Sequence, residues 1–266
     1  MQGEAGGHVG AREGDPLDSP PQIELRVPGP WGSVQALSDA LAEANAPYQL
    51  DGAELVHRNS GQRISWTVSE HDNDIAQVFA GGGSLSREEV DRLASHRVKI
   101  HLSGAGGSVE MARAIVDAAT SLVCAGGFGV MVDNSGLTHS PQDWLDLAGD
   151  PQAGGLYWAF VAATFDGQDA VAFSSGMHCL GLRDAELPTH DIPNRQIAGF
   201  LLHNFLGYTY QSGRTVLDGD TLNDESGACF RARHVPCTRF KCGTPFFNPY
   251  GVWRLEPIEA EHDEQV

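Results

Sequence analysis

Ile23-Glu24-Leu25-Arg26-Val27-Pro28-Gly29-Pro30 opens the part of the chain that decides its fold. Alternation of apolar and charged residues over 23–27 predicts a half-buried strand, and the Pro-Gly-Pro run ends it. Ser33 then stands as a helix cap, with Val34, Leu37, Leu41 and Ala44 at helical spacing behind it. Next, Tyr48 to Val56 and Arg63 to Val68 read as two strands joined through Asn59-Ser60-Gly61, a hairpin turn. Strand, helix and hairpin in that order break the regular strand-helix alternation of a doubly wound parallel sheet. The fold class is therefore α+β, with helices packed on a mixed or antiparallel sheet.

Working outward, Ser86 and Glu89 form a capping box ahead of a short helix with Val90 and Leu93, and a strand follows from Val98 to Leu102. The loop Ser103 to Gly107 leads to a second cap, Ser108, and a helix with Met111, Ile115, Ala118 and Leu122 on one face. Cys124 to Val132 reads as a buried strand whose glycines (Gly126, Gly127, Gly129) mark a close approach of other backbone. Ser140-Pro141-Gln142-Asp143 is a cap, an N1 proline and an N3 acid, opening a helix with Trp144, Leu145 and Leu147. Leu156 to Phe165 and Ala170 to Ser174 read as a second hairpin through Asp166-Gly167-Gln168. A helix from Pro193 to about Tyr210 is expected to bury Ile197, Phe200, Leu201 and Phe205, and brief strands lie near Phe230 to Val235 and Val252 to Leu255. Two strand-helix-hairpin passages, one from Ile23 and one near Phe128, hint at a duplicated unit. No low-complexity linker divides residues 22–256, which predicts one body between disordered acidic tails at 1–21 and 257–266.

The charge balance of 17 − 35 = −18 repels phosphate backbones and anionic lipid, so nucleic acid and membrane surfaces are poor partners and a basic protein is a favourable one. No apolar run approaches the ~20 residues of a membrane helix. The start of the chain lacks the basic and apolar segments of a secretory signal. Five cysteines without a dense even pattern point to free thiols in a cytoplasm.

The densest set of reactive side chains lies in Ser174-Ser175-Gly176-Met177-His178-Cys179-Leu180-Gly181-Leu182-Arg183-Asp184. As strand neighbours His178 and Cys179 would face opposite ways, which disfavours a thiol nucleophile. Ser174 or Ser175 is easier to bring to His178, with Asp184 or Asp133 to orient the imidazole, yet the Gly-x-Ser-x-Gly elbow is missing. The catalytic candidates are thus His178, Asp184 and Ser175, set against a histidine that merely holds the turn after a strand. Asp133-Asn134-Ser135-Gly136, followed by Thr138 and His139, is expected where a strand gives way to a helix, a position that often carries ligands and also simply turns. Binding candidates are Asp133, Asn134, His139 and His178. Gly104-Ala105-Gly106-Gly107-Ser108 lacks the third glycine of a dinucleotide loop and the lysine of a triphosphate loop, leaving a structural turn and no cofactor. Cys229, His234, Cys237 and Cys242 supply soft ligands without paired C-x-x-C arms, so metal is set against free thiols there.

Gly126 to Val130, Asn134-Ser135-Gly136 with Thr138, His139 and Trp144, the Gly176-Met177-His178 segment continuing to Asp184, and Asp218-Gly219-Asp220-Thr221 together resemble the bacterial domain-of-unknown-function family numbered 4261. The resemblance covers about residues 22 to 256. It implies a cytoplasmic bacterial protein with no established activity, catalytic residue or cofactor. From the residues themselves the leading expectation is a non-catalytic protein-binding module for a basic partner. The alternative is a small-molecule hydrolase near His139, His178 and Asp133 or Asp184.

Overall fold

The computed structural model describes residues 20–82, 85–150, 154–189, 195–223 and 229–258. The first sheet contains β1 (Gln22–Gly29), β2 (Tyr48–Asp51), β3 (Glu54–His57), β4 (Arg63–Glu70), β5 (Val98–Ala105), β6 (Val130–Val132) and β7 (Leu137–His139), in the order β2-β3-β4-β5-β1-β6-β7. Every neighbouring pair in it is antiparallel. The second sheet contains β8 (Ala162–Asp166), β9 (Val171–Ser175), β10 (Asp184–Pro188), β11 (Thr221–Asn223), β12 (Cys229–Val235) and β13 (Val252–Ile258), in the order β11-β12-β13-β10-β9-β8. Only β10 and β13 run parallel. The α+β class is therefore correct, with two mostly antiparallel sheets.

Helices fill the space between the sheets. Helices α1 (Val34–Glu43) and α4 (Val109–Cys124) cover the inner face of the first sheet, α7 (Arg195–Gln211) covers the second, and α6 (Gly154–Phe160) touches both α4 and α7. One hydrophobic cluster runs through all of them, from Ile23, Leu25 and Val27 on β1 to Ala185 and Leu187 on β10. Full burial of each large aliphatic side chain contributes ~1.5–3 kcal/mol. The outer face of the first sheet carries a smaller cluster, in which α2 (Ile75–Gly81) and α3 (Arg87–Ala94) enclose Phe79 and Leu93. Helix α5 (Pro141–Ala148) lays its buried Trp144 against α4, where the indole N–H donates to Thr120 Oγ1 at 3.1 Å.

Local signals placed most helix starts correctly. Ser33, Ser86, Ser108 and Ser140 each accept the N–H three residues on, and Ser86 with Glu89 completes a capping box. Several expectations need correction. Tyr48 to Val56 is two strands, because Gly52 turns the chain at φ 59°. Cys124 ends α4 instead of starting a strand, and only Val130–Val132 pairs. Two of the three glycines before it do mark close approach, since a Cβ on Gly127 would stand 2.8 Å from Val27 and one on Gly129 2.7 Å from the His139 carbonyl oxygen, whereas Gly126 has only Pro30 at 3.9 Å. Leu156 to Phe160 belongs to α6, leaving Ala162–Asp166 as the strand that pairs with β9. Met111 on α4 and Ile197 and Phe200 on α7 face solvent instead of the core. The expected N-terminal tail lies outside the described residues up to position 19, while β13 extends to Ile258, past the expected end of the body.

A repeated layout is present, but its second copy starts at β10 and not near Phe128. In both sheets a strand (β1 or β10) leads into a helix (α1 or α7) and then a three-strand meander (β2-β3-β4 or β11-β12-β13), with a hairpin on the strand's other side. In the first sheet β5 is inserted between the meander and β1. In the second, β13 lies directly beside β10, which is why that pair is parallel.

Candidate functional site

The segment 174–184 becomes a tight corner between β9 and β10. Gly176 at φ 104° leaves β9, Met177–Leu180 forms one 3₁₀ turn, and Gly181 at φ 81° closes it. Both glycines are required by space as well as by φ, as a Cβ on Gly181 would stand 2.3 Å from the Gly107 carbonyl oxygen. The turn is thereby pressed onto the glycine-rich loop before α4, whose Gly107 N–H donates to the Cys179 carbonyl at 3.0 Å. His178 and Cys179 thus lie in a 3₁₀ turn and not in a strand.

Five polar side chains meet at this corner. His178, 1% exposed, presents Nε2 to the Asn134 amide nitrogen at 3.1 Å and Nδ1 to Asp184 Oδ2 at 3.8 Å. Asp184 Oδ1 accepts from Ser174 Oγ at 2.9 Å and from the Met177 N–H at 3.2 Å, while Oδ2 accepts from Asn248 Nδ2 at 2.6 Å. Ser174 Oγ in turn accepts from the Ala185 N–H at 2.9 Å. Asn134 binds β1 through both ends of its amide: Oδ1 accepts from the Glu24 N–H at 2.9 Å, and Nδ2 donates to the Gln22 carbonyl at 2.9 Å. Nδ2 also faces the Pro245 carbonyl at 3.1 Å, so two hydrogens serve three acceptors. Asn134 sits in the turn between β6 and β7, and His178 and Asp184 belong to the second sheet and its corner. The cluster consequently ties the ends of the two sheets together.

That arrangement sets an acid beside an imidazole as a hydrolytic triad does, but at 3.8 Å the buried Nδ1 makes no hydrogen bond to Asp184, and the nucleophile is lacking as well. A nucleophile would need to stand at Nε2, where the Asn134 amide is found. Ser174 bonds to Asp184 instead, and no hydrogen bond joins the buried Ser175 to His178. A neighbouring cleft of about 240 Å³ is walled by Pro21, Glu24, His178, Cys242 and Thr244. The imidazole meets it with both ring nitrogens facing protein groups. Burial disfavours a charge on this ring while the neighbouring Cys179 and Asp184 act the other way, and an Asn134 amide that donates to Nε2 requires the neutral form.

The remaining candidates do not join this cluster. Asp133 accepts from Arg26 Nε at 2.8 Å through Oδ2, and its buried Oδ1 has no hydrogen-bond partner. His139 donates from Nε2 to the Ala159 carbonyl at 3.0 Å, and its ring packs on Trp144. No hydrogen bond or ion pair among the described residues links either residue to His178. The 133–136 segment is a hairpin turn into β7 and not the entry to a helix, with Gly136 at φ 76°. Cys229, His234, Cys237 and Cys242 form no group able to hold a metal among the described residues. Cys229 begins β12 and His234 lies near its end against Tyr250 and Trp253. Sequence reasoning missed Asn248, although the Asn248-Pro249 pair is a turn signal. Its side chain spans Asp184, the Leu182 carbonyl and the Tyr250 N–H.

Buried imidazoles give the structure a pH dependence with a definite sign. Burial lowers the pKa of His96, His101, His139 and His203 below the ordinary value. Below pH ~6.5 the unfolded chain binds protons at these positions that the folded chain refuses, so stability falls as pH drops from there toward the folded pKa values. Chemical denaturation at pH ~6.5 and ~5 should therefore show lower stability at the more acidic value. A flat or rising profile would contradict the burial of these four rings.

No family model, curated protein or solved structure matches this chain.

Proposed function

We propose that the chain is a non-catalytic binding module that captures a basic partner protein in the cytoplasm, and that it belongs to the bacterial family whose motif residues it resembles. The observation that carries this reading is the engagement of Asn134, His178, Asp184 and Ser174 with one another and with the backbone of both sheets. Asn134, Ser174 and Asp184 are committed to architecture. The net charge of −18 supports the sign of the partner, because it steers cations inward and repels nucleic acid. Among the described residues no helix is long and apolar enough to cross a membrane.

The contact surface best suited to such a partner is the outer stripe of α7. Phe200 is 61% exposed, and with Tyr208 it borders a cavity of about 600 Å³ shared with Leu222, Phe230 and Leu255. Exposed aromatics beside a concave apolar wall are the usual anchor positions of protein interfaces. A basic partner would place an apolar side chain in this cavity, its approach favoured by the net negative charge of the chain. The test is capture of proteins by the immobilised full chain and by its Phe200→Asp variant, with elution at rising salt. The expected result is a basic protein retained at low salt, released as the Debye length shrinks from ~8 Å toward ~3 Å, and not retained by the variant. Retention that survives ~1 M salt, or that is equal on both proteins, would reject the reading.

A further inference from the structure

We infer that a second cavity, at the other end of α7, is a binding site for a small ligand bearing an oxyanion, either phosphate or carboxylate. It has a volume of about 480 Å³, within the ~300–1,000 Å³ typical of small-molecule sites, and its wall includes Arg183, Arg214, Thr209, Tyr210, Tyr250 and Trp253. Among the described residues no Asp or Glu lines it. In a chain with 35 acids and 17 bases, a concave site with two guanidiniums and no carboxylate runs against the composition.

Arg183 is built in rather than loosely placed. Its Nε donates to the Tyr250 carbonyl at 2.9 Å, and its Cζ stands 4.9 Å from the centroid of the Trp253 ring. Those contacts fix the plane of the guanidinium while leaving its terminal nitrogens without an acidic partner among the described residues. By contrast, Arg26, Arg63, Arg233, Arg239 and Arg254 spend their guanidiniums on carboxylates. A planar fork held at one nitrogen and open at the others is the donor set that grips phosphate or carboxylate oxygens in a bidentate way. Arg214 supplies a second, exposed cation across the same cavity. Leu180, Leu182 and Val216 give it an apolar part, which suits a ligand with a ring or short chain behind the anionic group. The segment Gly181-Leu182-Arg183, which the architecture of the corner uses only for its turn, acquires a role in this way.

Tyr250 adds a steric link to the glycine-rich loop. A Cβ on Gly107 would stand 2.6 Å from the Tyr250 hydroxyl, so this glycine makes room for the residue whose carbonyl positions Arg183.

The test is calorimetric titration of the full chain with phenyl phosphate and with benzoate at constant ionic strength, using the unaltered protein, Arg183→Lys and Arg214→Gln. Lysine keeps the charge and loses the fork, and Arg214 is exposed, so its replacement leaves the fold intact. Saturable binding by the unaltered protein is expected, weakened ~10-fold or more in each variant, as loss of one charge-assisted contact implies. Binding of phenyl phosphate alone identifies the natural group as a phosphoryl, binding of benzoate alone identifies it as a carboxylate, and binding of both supports a site open to either. Absence of binding by both probes, or an affinity unchanged in Arg183→Lys, overturns the inference. The capture experiment on Phe200 reads a different cavity, so the two ideas fail independently.

Discussion

Replacing Asp184 by alanine is expected to destabilise the fold by ~3–5 kcal/mol, a loss on the order of 10 °C in melting temperature for a chain of this size. The carboxylate is buried and accepts from Ser174 Oγ, the Met177 N–H and Asn248 Nδ2, with His178 Nδ1 nearby at 3.8 Å. Deleting it strands three donors that water cannot reach, and each unmade bond costs ~1–3 kcal/mol. Asp184→Asn separates shape from charge, because the amide keeps the volume but turns one acceptor into a donor facing another donor. Its loss should be smaller than that of alanine yet still measurable by denaturant midpoint. A melting temperature unchanged in Asp184→Ala would show that the carboxylate is solvated in solution and that the cluster is not a tie.

The second large effect is expected at Gly176. A Cβ there would stand 1.9 Å from the Phe160 carbonyl oxygen, at a φ of 104° that side chains rarely adopt. Neither problem can be relieved by a rotamer change, since the obstructing atom is backbone at the end of α6. Gly176→Ala should lose more than ~4 kcal/mol and yield little folded protein. Gly52→Ala is the control. That glycine has φ 59° but open space around it, so its replacement carries only the ~1 kcal/mol conformational cost of the left-handed region. Equal stability of the two variants would mean that the corner at 176 is looser than described. Circular dichroism melts of both proteins make the comparison.

What the sequence revealed and what it hid follow from the range of the interactions. Serine caps were legible because the bond from the Met111 N–H to Ser108 Oγ is local, spanning three residues. Alternation over Ile23 to Val27 was legible because one face of β1 meets the core and the other does not. The strand readings over Cys124 to Gly129 and Leu156 to Phe160 failed because a run made almost wholly of apolar residues and glycine carries no period of its own, even where Cys124 and Trp158 reach solvent. Gly155, Leu156, Tyr157, Ala159 and Phe160 are all buried, so α6 shows little polar face and its run of apolar and aromatic residues imitates a core strand. Only packing between α4 and α7 settles it as a helix. At the corner, Asn134, His178 and Asp184 were each noticed, but their union was not, because positions 134, 178, 184 and 248 meet only after both sheets have formed. Asp133 and His139 looked equally eligible in sequence and were diverted by other partners, Arg26 and the Ala159 carbonyl.

The central claim is that the imidazole of His178 and the amide of Asn134 act together as a tie between the sheets. A double-mutant cycle on urea-induced unfolding, with Asn134→Ala, His178→Ala and the double variant, measures that union directly. Two residues sharing one buried contact should show a coupling energy of ~1 kcal/mol or more, the double variant losing less than the sum of the single losses. Strict additivity, within ~0.3 kcal/mol, would mean that the two side chains act separately and would contradict the account.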